Sequence, residues 1–128
     1  MADIVLVDTC VLFDFMGGKD DGDVFEKILL DARVGISVIT VYELLRGVRF
    51  SKHRLQREQL IGLCKVFDIT LTISRKASEI YTDLKQNGRL VSNEDILIGA
   101  TAIYWKHPIY TLNKKDFKRI EGIDFYEI

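Results

Sequence analysis

Cysteine, histidine, proline and tryptophan are all scarce here, at two, two, one and one among 128 residues. Cys10 and Cys64 form no CxxC pair and neither has a paired histidine motif beside it. Neither a disulfide framework nor a structural zinc site is expected, and reduced thiols in a cytosolic protein are the default. No apolar run reaches the roughly 18 residues that span a bilayer, and the N-terminus lacks the basic and apolar regions of a signal peptide. Cytoplasmic residence with no membrane partner follows as the expectation. Repeats, low-complexity tracts and linkers are absent too. With 48% hydrophobic and 29% charged residues, the chain reads as one globular domain over residues 1–128.

A strong net charge is also missing, since the formal balance is −1. Its distribution is uneven. Residues 1–31 hold eight acids against Lys19 and Lys27, whereas the remainder holds 16 basic and 11 acidic residues. Such asymmetry leaves room for a basic face on a nearly neutral molecule.

Apolar runs alternate with helical patterns. Strands are expected at Asp3–Val7, Gly35–Ile39, Ile69–Ile73, Ile109–Leu112 and Ile123–Tyr126. Helices are expected over Thr9–Met16 (stopped by Gly17-Gly18), after Asp20–Asp23, over Thr40–His53, Arg54–Val66, from Ser74 to Asn87-Gly88, over Ser92–Lys106 and around Lys114–Ile120. This predicts an α/β three-layer sandwich: a mostly parallel central sheet of about five strands flanked by helices.

Four acids stand where apolar runs give way to helices: Asp8, Glu43, Asp95 and Asp116. In parallel sheets the carboxyl ends of the strands are where sites form. Taken singly, three of the acids have a structural explanation. Thr40-Val41-Tyr42-Glu43 and Ser92-Asn93-Glu94-Asp95 fit the capping-box spacing, and Asn113-Lys114-Lys115-Asp116 is a looser variant. Asp8 differs, ending an apolar strand without opening an obvious cap. Taken together, four converging carboxylates repel unless a cation sits among them. With histidine so scarce, hard oxygen donors favour Mg²⁺ or Mn²⁺ over zinc.

These segments resemble one family. Val7-Asp8-Thr9-Cys10-Val11-Leu12 is similar to the opening motif of PIN-domain ribonucleases. Glu43-Leu44-Leu45-Arg46-Gly47, Asp95 to Ala102 and Thr111-Leu112-Asn113-Lys114-Lys115-Asp116-Phe117 match its other three blocks, in the same order and over the whole chain. Gly99 stands where the third block commonly has alanine. Within the family the chain most resembles the VapC toxins of bacterial and archaeal toxin–antitoxin pairs.

The resemblance implies a divalent-metal-dependent endoribonuclease in which Asp8, Glu43, Asp95 and Asp116 form the catalytic, metal-binding pocket. Asp8 and Asp95 are the implied direct ligands, while Glu43 and Asp116 bind directly, act through water or orient the nucleophile. It also implies a cognate antitoxin protein, which blocks the acidic pocket, and a homodimer, for which residues 42–63 are the candidate surface. The alternatives are a housekeeping RNA-processing nuclease of the same family, and a non-catalytic metal-binding, receiver-like domain. A receiver would use a lysine such as Lys114 but leave Glu43 unexplained. An aspartyl phosphatase would want a second Asp where Cys10 stands.

Around the acids, Thr9 and Thr111 carry hydroxyls suited to a carboxylate or a phosphate. Asn113 has the same capacity, but helix capping is its favoured reading. Arg46 lies one turn after Glu43. It opens a run with Arg49, Lys52, Arg54 and Arg57 that either grips RNA or forms a solvated helix face. Lys114, Lys115, Lys118 and Arg119 make a second basic cluster.

Overall fold

A computed structural model describes residues 3–17 and 23–128. The expected helix-start chemistry at Asp20 and Asp21, and Gly18 of the Gly17-Gly18 stop, lie outside the described residues. Strand β1 (Ile4–Val7) is a short run of branched and leucine side chains, well suited to a strand buried on both faces. It lies between β2 (Arg33–Ser37) and β4 (Ile109–Tyr110), and β3 (Lys65–Phe67) pairs on the far side of β2. The order is β3-β2-β1-β4 and every pairing is parallel, with Leu6 opposite both Gly35 and Ile109.

The period-two geometry of a strand divides its side chains between two cores. Val5 and Val7 face one way, with Val34 and Ile36. There α1 (Thr9–Met16), α2 (Asp23–Asp31), α3 (Val38–Leu45) and α4 (Ser51–Gly62) cover the sheet with Val11, Leu12, Phe25, Ile28, Leu44 and Leu60. Leu6 and Ile109 face the other way. That side is covered by α5 (Leu71–Gln86), α6 (Asn93–Trp105) and α7 (Lys114–Phe117) through Ile73, Ile80, Ile98, Ala100 and Phe117. The result is the expected three-layer α/β sandwich, with one strand fewer than the anticipated five.

The missing strand has a local cause. Near the C-terminus the chain makes a single parallel bridge, Ile109 to Phe125, and bonds Ile109 N–H to Asp124 O and Tyr126 N–H to Ile109 O, both at 2.9 Å. It follows the sheet edge without extending as a strand. The Tyr126 hydroxyl also bonds Asp31 of α2.

Among the other boundaries that differ from expectation, three turn on a hydroxyl or a glycine. Ile69–Ile73 is not a strand: Thr70 caps α5 by accepting from Ile73 N–H at 3.2 Å, and the third strand lies earlier, at Lys65–Phe67. The strand-like alternation of Thr70 and Thr72 concealed a cap four residues ahead of the expected Ser74. Ser37 ends β2 two residues early by capping α3 through Ile39 N–H at 3.1 Å. The helix expected over Thr40–His53 breaks at extended Arg46 and Gly47, whose φ of +74° few side chains tolerate. The chain then restarts as α4.

Gly35 is required for close packing. A Cβ there would stand 2.7 Å from Phe67 Cε2 and 3.1 Å from Ile4 Cγ2. The Phe67 ring is itself wedged against Trp105 and His107. Gly35→Ala is expected to destabilise the protein by about 1–3 kcal/mol, read as a lower midpoint in thermal unfolding; an unchanged midpoint would contradict this packing.

Candidate functional site

Because the strands are parallel, the carboxyl ends of β1, β2 and β4 open on one edge of the sheet. Asp8 follows β1, Thr111 follows β4, and α3 leads Glu43 away from β2. Asp95 departs from the expected pattern, because it enters on α6, which follows a helix rather than a strand.

Asp8 is the most enclosed of the four acids, with 6% of its surface exposed. Contrary to expectation, it is a helix cap. Its Oδ1 accepts from Thr9 N–H at 2.8 Å at the start of α1. Its Oδ2 accepts from the Thr111 hydroxyl at 2.7 Å and the Cys10 thiol at 3.3 Å. The carboxylate is thus held on both oxygens by donors from both strand ends.

Glu43 reaches the same region from the second turn of α3, since Ser37 rather than Thr40 is the cap. The Thr40–Glu43 capping box therefore does not form. Thr40 instead lies fully buried with its hydroxyl 2.9 Å from that of Thr9. Thr9 donates to Glu43 Oε1 at 2.7 Å. Thr9 spends its single hydroxyl proton on Glu43, so Thr40 must be the donor to Thr9. Donation runs in one direction, from Thr40 through Thr9 to Glu43. The other oxygen of Glu43 faces Arg46 at 3.7 Å.

Asp95 and Asp116 both sit at the third position of their helices, and Ser92 Oγ accepts from Asp95 N–H at 3.1 Å as expected. Asn113 precedes α7 without capping it. Its side-chain amide donates to Asp95 Oδ2 at 3.3 Å and Asp116 Oδ2 at 2.9 Å, while its backbone N–H donates to the Thr111 hydroxyl at 2.9 Å. The capping reading of Asn113 gives way to a bridging one, because two carboxylates compete for its donors.

The four acids share one electrostatic environment. Burial of the carboxyl, then the charges of Asp8 and Asp116 with a further contribution from Glu43, push Asp95 up to about 6, against the opposing bond at Ser92. Burial and the Asp8 charge likewise push the Cys10 thiol up to about 12, so it acts as a hydrogen-bond donor and not as a nucleophile. Cys10 and the fully buried Thr40 are the members of this network for which the sequence indicated no role at the site. Their signal was position: two residues after one acid, and one helical turn before another.

The donor set consists of carboxylate and hydroxyl oxygens, which suits a hard divalent cation. Among the described residues, no three His, Cys, Asp or Glu side chains stand as a ready-made metal cage. Hydroxyl and amide donors satisfy the carboxylates instead. A more enclosed cleft of about 470 Å³, lined by Lys76, Glu79, Asp83 and Arg119, includes none of the four acids. Of the second basic cluster, Lys114 pairs with Glu127 at 3.3 Å and lies over the Phe125 ring, and Arg119 donates to Leu90 O at 3.2 Å. A receiver-like pairing of Lys114 with the acids therefore has no support here.

Sequence comparison gives this arrangement its class: the chain belongs to the PIN domain family, whose model matches residues 5–123. Among its curated relatives, it is 36% identical over 131 aligned residues to Ribonuclease VapC1 of Methanocaldococcus jannaschii, spanning 96% of this chain and 87% of that protein. It is 31% identical to Ribonuclease VapC2 of Rickettsia felis over 77% of this chain and 76% of that one. The fold is similar to that in the crystal structure of DNA-bound VapBC from Salmonella typhimurium, with a TM-score of 0.83, 24% identity and coverage of 98% of both chains. No helix among the described residues is long and apolar enough to cross a membrane.

The raised Asp95 carries a stability signature. Its folded value of about 6 exceeds the ordinary 3.8, so the folded state holds this proton more tightly than the unfolded one. The resulting stabilisation is complete below the ordinary value and is lost as pH rises through about 6. In EDTA, Asp95→Asn is therefore expected to raise the thermal midpoint relative to wild type above this pH, with the difference shrinking below it. An Asp95→Asn midpoint that is lower and independent of pH would contradict the repulsion described here.

Proposed function

We propose that this protein is a divalent-metal-dependent endoribonuclease that hydrolyses RNA phosphodiester bonds. We further propose that it is the toxin of a type II toxin–antitoxin module, acts in the cytoplasm and functions as one nuclease domain over residues 1–128. The observation that carries the reading is the convergence of Asp8, Glu43, Asp95 and Asp116 from four separate segments into one environment of mutual repulsion. The names of the VapC relatives support ribonuclease activity, and their similarity extends through most of the chain.

Asp8 and Asp95 are the direct ligands of Mg²⁺ or Mn²⁺ in this proposal, with Asp116 and Glu43 completing the acidic set. When bound, the cation would supply Lewis acidity, lowering the pKa of a coordinated water and offsetting charge on the phosphoryl oxygens. The protein's own part is positioning. Thr111 and Cys10 fix one oxygen of Asp8, and Thr9 N–H fixes the other. The Thr40–Thr9 chain holds Glu43 by one oxygen, leaving the second to orient a water or accept a proton. Asn113 keeps Asp95 and Asp116 apart yet adjacent by donating to both.

A cognate antitoxin that covers the acidic pocket, and a homodimer, complete the proposal. The apolar side chains of Tyr42, Phe50, Leu55 and Leu63 are exposed on and around α3 and α4 and offer area for a protein partner.

Purified protein freed of any partner is expected to cleave RNA with Mg²⁺ or Mn²⁺, to stop with EDTA, and to be inactive as Asp8→Asn. No metal-dependent cleavage across a broad RNA panel would refute the function, and cleavage surviving in Asp8→Asn would refute the site. Thr111→Val is expected to lower activity or metal affinity about 10–100-fold, the usual cost of removing a group that orients a ligand. Rates and affinity equal to wild type would show that Thr111 does not orient Asp8.

A further inference from the structure

The break between α3 and α4 sorts the basic run into two groups. Arg46, Arg49, His53 and Arg57, together with Gly47 and Phe50, line a concavity of about 250 Å³ with no acid in its wall. Lys52 and Arg54 are placed elsewhere, around a more open face shared with Leu55 and Glu58. An uninterrupted helix would have spread these cations along its length. The extended Arg46 and the left-handed Gly47 instead turn the chain so that three arginines line one hollow.

The three arginines differ in how they are held. Arg57 is fixed: it donates to Leu44 O at 2.6 Å, and its guanidinium lies 5.4 Å from the centre of the Phe13 ring. Phe13 belongs to α1, the helix that Asp8 caps, so this wall is anchored to the same element as the acidic site. Arg46 faces Glu43 at 3.7 Å with its side chain 54% exposed. An exposed pair of that length holds its partner only weakly. Arg49 is exposed and makes no ion pair among the described residues.

We infer that this hollow is a phosphate subsite, in which Arg46, Arg49 and Arg57 hold a backbone phosphate of the RNA strand that flanks the cleavage point. Planar guanidinium forks match the oxygens of a phosphodiester, and a fixed member lowers the entropy lost on binding. The contact between Arg46 and Glu43 makes the subsite continuous with the acidic site. A phosphate held there would draw the strand across the carboxylates despite their repulsion. This inference rests on the endoribonuclease reading and adds which cations grip the substrate: the hollow, and not the neighbouring Lys52 and Arg54.

The test is binding of a short single-stranded RNA to the full chain in EDTA, where cleavage is off, at several salt concentrations. Arg49→Gln is expected to weaken binding about tenfold, the fold-change of one charged hydrogen bond. It is also expected to reduce the slope of log affinity against log salt by about 0.7, the value for one single-strand phosphate contact. Lys52→Gln and Arg54→Gln are expected to match wild type in both respects. Wild-type affinity and slope in Arg49→Gln would overturn the subsite alone, as would equal losses in all three variants, which would reveal diffuse attraction. If Arg49→Gln weakens only association with a protein partner, the hollow serves a protein surface and the subsite is again overturned. Absence of RNA binding by wild type would remove both the subsite and the endoribonuclease reading.

Discussion

Repulsion among four carboxylates gathered at one edge of a parallel sheet is the constraint on which the rest of the molecule depends. Asp8, Glu43, Asp95 and Asp116 arrive from different segments, and burial, reinforced by the charges of the other three, raises Asp95 to about 6. Such a cluster is stable only if other groups hold it in place. Thr9, Cys10, Thr40, Thr111 and Asn113 do so with hydroxyl, thiol and amide donors directed at carboxylate oxygens or at one another. The arrangement costs stability, as sites assembled for chemistry commonly do.

The scaffold offsets that cost by burying apolar side chains on both faces of β1, the strand that delivers Asp8. Leu6 goes to one core while Val5 and Val7 go to the other. A strand fixed on both sides cannot slip in register without moving its side chains to the wrong face. Asp8 is therefore placed by the strand before it and the helix it caps, whereas Glu43 depends on Ser37 ending β2 early enough for α3 to begin. Strand ends and helix caps thus build the site directly.

Much of this was legible in the sequence. The apolar runs before Asp8 and Thr111, and the Ser92 cap ahead of Asp95, lie where the patterns put them. Pattern and structure part where one residue type serves two purposes. Thr70 alternates with Thr72 as strand residues do, yet its hydroxyl caps α5. Thr40 has capping-box spacing to Glu43, but its hydroxyl turns inward to Thr9, a partner 31 residues away that no local spacing reveals. Asn113 occupies a cap position and spends its amide on two acids instead. Asp8 ends a strand and caps a helix as well. Local chemistry indicates which groups can bond, and tertiary placement decides which partner each one finds.

The central claim is that these carboxylates are gathered to hold a divalent cation. It is tested most directly by titrating Mn²⁺ into the protein without RNA and following free Mn²⁺ by electron paramagnetic resonance. Saturable loss of the free-ion signal is expected for wild type, with sharply weaker binding in Asp8→Asn and Asp95→Asn. No saturable binding by wild type, or affinity unchanged in both variants, would contradict the account.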